Sequence, residues 1–276
     1  MIVRCRGREP RVDRAEGTEA NRPEGRLRAR KLLGPVSGEV SPCSEQVIPH
    51  GLLRGADRDG SPHMAEPSYN ERYARPGWYW GTKPTALARE VVRLAPRAPG
   101  APRVLIDLGS GEGRDSIYFA RNGFRVTGVD ISKVGAAKAQ RRADRLGLNV
   151  RFRVGDLRTY RLERRADVVF SSGALNNLPP RVREARFAHF KRQTVPGGIH
   201  AMNAFVPKPY LRPPPEMDPA ESPFRSGELL GYYWDWAILD SGEVEFDCNS
   251  SGIPHRHAMD VVLARKPDRT ERRPAR

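Results

Sequence analysis

Cysteine is scarce in this chain. Cys5, Cys43 and Cys248 are the only three in 276 residues, too few for a disulfide framework and in keeping with a reducing, cytoplasmic compartment. No run of about 18 apolar residues occurs, which argues against a membrane-spanning helix. Aromatic residues make up 8% and mean hydropathy is −0.64. The polar excess has an address. Residues 1–63 hold twelve basic and nine acidic residues with scattered Gly and Pro and no apolar period, so they read as a disordered extension. Glu9, Asp13, Glu16, Glu19 and Glu24 argue against a transit or secretory peptide. Met64, just before the first domain-like segment, is the alternative natural start. The expected organisation is an extension at 1–63, one domain at 64–268 and a basic tail at 269–276.

Acidic residues are also in deficit. Net charge is +15, of which the extension carries +3 and the remainder +12. Such a field favours anionic partners, either nucleic acid or small oxyanions. The basic clusters, at Arg141-Arg142, between Arg161 and Arg165 and from Arg269 to Arg276, are dispersed and lack interleaved aromatics. A small molecule, not nucleic acid or a membrane, is therefore the expected partner.

What the sequence does contain is concentrated between residues 104 and 130. Val104-Leu105-Ile106-Asp107 is an apolar strand ending in a carboxylate, followed by Gly109-Ser110-Gly111-Glu112-Gly113 and then by Gly128-Val129-Asp130. Glycines at alternate positions permit a sharp turn against which a ligand can lie. Asp130, 21 residues after Gly109, is placed to accept both hydroxyls of a ribose. A dinucleotide fingerprint needs a small residue at the sixth position, and Arg114 stands there. The third glycine instead comes early, at Gly113, a G-x-G-x-G loop that resembles that of class I S-adenosylmethionine-dependent methyltransferases, whose ligand has no phosphates.

Around this motif strands and helices alternate: strands at 103–108, 124–130, 149–154, 166–171 and 199–206, and helices at 114–122, 133–147 (capped by Ser132) and 181–192. A helix at 84–94 capped by Thr82 precedes them, and Pro196-Gly197-Gly198 reads as a turn. A short helix near 226–233 and strands at 236–246 and 256–265, joined through Asn249-Ser250-Ser251-Gly252, close the chain as a hairpin. The expected fold is α/β, a Rossmann-like open, mostly parallel seven-stranded sheet with helices on both faces and a terminal antiparallel hairpin.

From about Trp80 to Lys266 the chain resembles the tellurite-resistance branch of the class I S-adenosylmethionine-dependent methyltransferases. The resemblance rests on Trp80-Gly81-Thr82-Lys83-Pro84-Thr85, the run from Asp107 to Ser116, Asn122-Gly123-Phe124, Val129-Asp130-Ile131-Ser132, Asp156-Leu157, Pro196-Gly197-Gly198, Gly227-Glu228-Leu229 and Leu263-Ala264-Arg265-Lys266. It departs at Asp115, where the family often has Asn, and at His255-Arg256-His257. The resemblance implies that Asp107, Gly109, Ser110, Gly111, Gly113, Asp130, Ile131, Asp156, Leu157 and Ser171 hold the cofactor, with Asp156 and Leu157 at the adenine. The acceptor it implies is a chalcogen oxyanion such as tellurite or selenite, or a thiol.

Other residues are open to two readings. Ser171 and Ser172 line the methionine moiety or begin a turn. Trp78, Tyr79 and Trp80 lie over a sulfonium or form a lid, although Tyr79 at least is expected to be a core or staple residue. Arg114, Trp80 and His257 are candidate acceptor contacts. Cys248 with His255 and His257 invites a metal, but the two histidines are expected on opposite sides of their strand, and no metal is assigned. His189, between Phe187 and Phe190, is expected to be structural. No general base is evident, and methyl transfer to a lone-pair-bearing acceptor needs none, since positioning and water exclusion supply the rate. The alternatives are a nucleic-acid methyltransferase, disfavoured because Ser171-Ser172-Gly173-Ala174-Leu175 lacks an Asn/Asp-Pro-Pro-aromatic stretch, a non-catalytic cofactor-binding module, and a nicotinamide dehydrogenase.

Overall fold

A computed structural model describes residues 66–95, 103–214, 221–249 and 253–268. The extension at 1–63 and the tail at 269–276, both named above, lie outside the described residues. So do 250–252 of the expected hairpin connection.

Seven strands form one sheet in the order β3-β2-β1-β4-β5-β7-β6. β1 (Val104–Leu108), β2 (Arg125–Asp130), β3 (Val150–Val154), β4 (Ala166–Ser171) and β5 (Thr194–Phe205) pair in parallel. β7 (His255–Arg265) runs antiparallel between β5 and the edge strand β6 (Ala237–Cys248). The expected fold is thus the observed one. Central strands read as unbroken apolar runs because helices cover both faces: in β1 every residue after Val104 is buried. On one face α5 (Pro180–Arg192) helps to bury Phe187, Phe190, Met202, Phe224 and Tyr233. On the other, α2 (Ala86–Leu94) and α3 (Arg114–Arg121) enclose Leu87, Val91, Phe119, Val168 and Phe170.

Local chemistry sets the helix starts. Ser132 caps α4 (Lys133–Arg145), its hydroxyl accepting the Gly135 N–H at 3.0 Å. Thr85, not Thr82, caps α2, accepting from Ala88 N at 3.1 Å while its own N–H is held by Asp115 at 2.8 Å. One element is new and one further expectation changes. The aromatic-rich stretch before residue 82 begins with a helix, α1 (Glu66–Ala74), whose contacts with α4 supply what its weak amphipathicity does not. Pro196-Gly197-Gly198 is not a turn before β5 but an irregularity inside it, accommodated by a register shift against β4 between Ala166 and Val168. The short helix near 226–233 is a single turn, α6 (Glu228–Gly231).

Candidate functional site

The position of the site follows from the strand order. The chain winds from β1 outward through β2 to β3, then returns to β4 on the other side of β1. The loops leaving β1 and β4 therefore diverge, and open α/β sheets bind ligands in the crevice created there. Gly109–Gly113 leaves β1, and Ser172–Ala174 leaves β4.

The glycine turn has left-handed backbone at all three glycines, with φ of +77° at Gly109, +52° at Gly111 and +80° at Gly113. Its entry is pinned by Gly109 N and Ser110 N, which both donate to Val129 O, at 2.7 and 3.0 Å. Packing adds a second requirement for glycine. A Cβ on Gly109 would lie 2.0 Å from the Ala174 Cβ, and one on Gly111 would lie 3.0 Å from the Tyr73 hydroxyl. Ser110 Oγ is buried without a hydrogen-bond partner among the described residues.

Two carboxylates brace the turn. Asp130 closes β2 and accepts Gly111 N at 2.7 Å through Oδ2 and Ser132 N at 2.9 Å through Oδ1. Burial pushes its carboxyl above the usual range, and those two N–H groups oppose the rise. Each oxygen keeps a further lone pair for a ligand hydroxyl. Asp107 at the end of β1 accepts the Ser116 hydroxyl at 2.5 Å. Its complete burial pushes its pKa up to about 7, the Ser116 bond resisting and the Asp115 charge assisting.

A strap of aromatic residues covers the turn. Trp80 Nε1 donates to the Tyr73 hydroxyl at 3.2 Å, and Tyr79 and Trp80 meet edge to face with centroids 4.7 Å apart. Glu112 holds this strap down, taking the Tyr79 N–H at 2.6 Å while pairing with Lys138 at 2.6 Å. Asp115 accepts Thr85 N at 2.8 Å, and Arg114 reaches the Trp80 carbonyl and the Asp115 carboxylate, at 3.2 Å in each case. Of the core and staple readings of Tyr79, the structure departs from the first: Tyr79 is half-buried between Tyr73 and Trp80, its backbone N–H taken by the buried Glu112. Trp78 lies with the Lys138 and Arg142 cations over its ring, at 5.2 and 4.7 Å. Arg114, expected at the acceptor, is engaged by this strap.

The remaining candidates divide. Leu157 is buried with its Cδ1 about 4.0 Å from the Cβ position of Gly109, inside the crevice wall. Asp156 is bonded by Arg158 of its own turn, at 2.7 Å from Nε and 2.8 Å from the backbone N. Burial alone would raise its carboxyl, but the Arg158 bonds and charge hold it below the usual range. Ile131 is half-buried between Asp130 and the α4 cap. Ser171 does not line the crevice: fully buried, its hydroxyl donates to Leu108 O at 2.9 Å and ties β4 to β1. Ser172 instead meets Asn203 Nδ2 at 3.2 Å, while Asn203 Oδ1 accepts Gly173 N at 2.7 Å. His189 is structural as expected, its Nε2 accepting Leu162 N at 3.2 Å.

His257 and His255 correct an expectation outright. Residues two apart on a strand share a face, and the two Nε2 atoms are 2.9 Å apart, beside Cys248. His257 is 8% exposed and packs against Phe205 and Phe246.

Tyr73, Glu112 and Asn203 had not been singled out. Glu112 stands inside the glycine motif and was visible there; Tyr73 and Asn203 act through contacts distant in sequence, for which no local signal exists.

Residues 105–198 match a family model described as a methyltransferase domain. Over 171 residues the chain is 29% identical to hemagglutinin 1 of Eikenella corrodens, covering 60% of this chain and 56% of that protein. Over 187 residues it is 27% identical to the probable S-adenosyl-L-methionine-dependent methyltransferase TehB of Haemophilus influenzae, covering 66% and 63%. It therefore spans less than two thirds of the length of these relatives. The crystal structure of TehB from Haemophilus influenzae superposes with a TM-score of 0.57 at 22% identity, covering 65% of this chain and 61% of that one. Residues 105–198 thus match a methyltransferase-domain model, the chain is similar to the probable S-adenosyl-L-methionine-dependent methyltransferase TehB, and it shares its fold with the TehB crystal structure.

Proposed function

We propose that the crevice between the β1 and β4 loops takes S-adenosylmethionine and passes its methyl group to a small nucleophile, a chalcogen oxyanion such as tellurite or selenite, or a thiol, within one domain at 64–268. The supporting observation is the Asp130 carboxylate, bonded to Gly111 N at the centre of the glycine turn. It unites the sugar-binding position with the floor of the crevice. The likeness to TehB, a probable S-adenosyl-L-methionine-dependent methyltransferase, supports the choice of cofactor, and the acceptor class follows from the resemblance to the tellurite-resistance branch.

The residues fit this cofactor. Asp130 accepts Gly111 N and Ser132 N through different oxygens, and each oxygen keeps a lone pair for a ribose hydroxyl. Asp130 would hold the ribose hydroxyls, Gly109, Gly111 and Gly113 would let the nucleoside lie against backbone, and Leu157 would provide an apolar wall beside the adenine, with Asp156 at its edge. When bound, the cofactor supplies an electrophilic methyl on a sulfonium, transferred in line to the acceptor's lone pair, with the sulfur leaving as a neutral thioether. The chain's part is orientation and exclusion of water. The strap of Tyr73, Tyr79 and Trp80 closes one side of the crevice, and Trp80, exposed at its rim, is the candidate acceptor contact.

Titration calorimetry with S-adenosylhomocysteine on the wild type and on Asp130→Ala tests the first half. Binding weakened at least tenfold by the substitution is expected, and unchanged affinity would refute the ribose role. Labelled S-adenosylmethionine with tellurite, selenite, thiols and small amines tests the second: transfer to amines alone would overturn the acceptor class.

A further inference from the structure

We propose that Cys248, His255 and His257 form a separate transition-metal site, suited to Zn2+, at the loop end of the β6–β7 hairpin. The register makes the site. Cys248 on β6 is the cross-strand partner of His255 on β7, so both project from the same face, and His257, two residues further on, joins them there. One donor atom from each of the three lies within 4.8 Å of the others.

The histidine chemistry points the same way. His255 Nδ1 is 2.7 Å from the Ile253 carbonyl, which places the ring proton on Nδ1 and leaves the Nε2 lone pair facing the cluster. A backbone carbonyl on the far ring nitrogen is the usual support for a ligating imidazole. His257 Nε2 is 2.9 Å from His255 Nε2. Two imidazoles that each sit about 2.0–2.1 Å from one tetrahedral zinc ion hold their nitrogens about 3.3 Å apart, so a shared cation needs the two rings to part only slightly. In the metal-free form His257 Nε2–H donates to His255. On binding, that proton shifts to Nδ1 of His257 and the Cys248 thiol gives up its own to solvent. The Phe205 and Phe246 rings, with centroids 4.7 and 5.4 Å from that of His257, hold its ring and keep the surroundings apolar.

Two imidazoles with one thiolate prefer Zn2+ to the hard cations Mg2+ and Ca2+. Three protein donors leave a fourth position for water or another ligand. Phe205 and Met259 both reach within 3.9 Å of the Cβ position of Gly173, so the cluster neighbours the loop leaving β4. The site is independent of the methyl-transfer reading, and its failure would leave that reading intact.

The test uses the full chain, stripped with chelator and titrated with Co2+ as a coloured replacement for Zn2+. One equivalent should give visible bands of four-coordinate cobalt and a near-ultraviolet thiolate charge-transfer band, both abolished by added Zn2+. Cys248→Ser should remove the charge-transfer band, and His257→Asn should weaken affinity at least tenfold. The double variant Cys5→Ser/Cys43→Ser should retain the full spectrum. Circular dichroism checks that each variant folds, and His255→Gln, altered at the half-exposed end of the hairpin, replaces Cys248→Ser if that variant does not. A spectrum without charge transfer, one unchanged by these hairpin substitutions, or one lost with Cys5 and Cys43 would overturn the proposal.

Discussion

Substituting Gly109 by Ala separates two costs that the glycine turn combines. The first is conformational: with φ at +77°, a Cβ at this position costs about 1–2 kcal/mol. The second is steric, because the new Cβ would lie 2.0 Å from the Ala174 Cβ, far inside contact distance. Overpacking of that kind adds about 1–3 kcal/mol as the neighbour is driven away. Gly109→Ala should therefore destabilise by about 2–5 kcal/mol. Gly123 is the internal reference, since its φ is +81° but nothing lies within 4 Å of its Cβ position. Gly123→Ala should cost only the conformational part, about 1–2 kcal/mol. Ala174→Gly, which costs about 0.5–1 kcal/mol as a glycine substitution, removes the obstructing atom. Combined with Gly109→Ala it should recover about 1–3 kcal/mol relative to additivity. Urea unfolding monitored by tryptophan fluorescence, with slopes unchanged among the variants, gives all four values. Equal costs for Gly109→Ala and Gly123→Ala, or an additive double variant, would refute the contact between Gly109 and Ala174 at the base of the crevice.

Other predictions concern the carboxylates beneath the strap. Asp107 has its folded pKa raised to about 7 against a reference value of 3.8, so folding binds a proton in the interval between them. Its contribution to stability is favourable at low pH and declines by about 4 kcal/mol as pH rises from 4 to 8. Asp107→Asn should remove that decline, and parallel stability-against-pH curves for the two proteins would count against it. Glu112→Gln keeps the shape but removes the charge shared by Tyr79 N and Lys138. It should loosen the strap by about 1–3 kcal/mol and raise hydrogen exchange at the Tyr79 amide, and unaltered exchange there would mean that Glu112 does not hold it.

Much of the fold was legible because its signals are local. The apolar run of β1, the serine cap at Ser132 and the alternation of strand and helix depend on neighbours within a few residues, and the structure keeps them with ends shifted by one or two positions. The cap at Thr85 and the continuous β5 were misread because distant partners decide them: Asp115 holds the Thr85 N–H, and β4 and β7 pair on either side of β5.

The glycine spacing and the carboxylates at Asp107 and Asp130 were determined by the sequence itself, since each depends on backbone freedom or on the end of a strand. Which of those groups face a crevice was decided only by tertiary structure. Ser171 is spent on Leu108, and Arg114 and Asp115 on the strap, while Tyr73 reaches Gly111 from a helix 38 residues earlier in the chain. The juxtaposition of Cys248 with His255 likewise required the pairing register of β6 with β7. Strand register and helix docking are settled by burial summed over the whole sheet, which no short stretch of residues encodes.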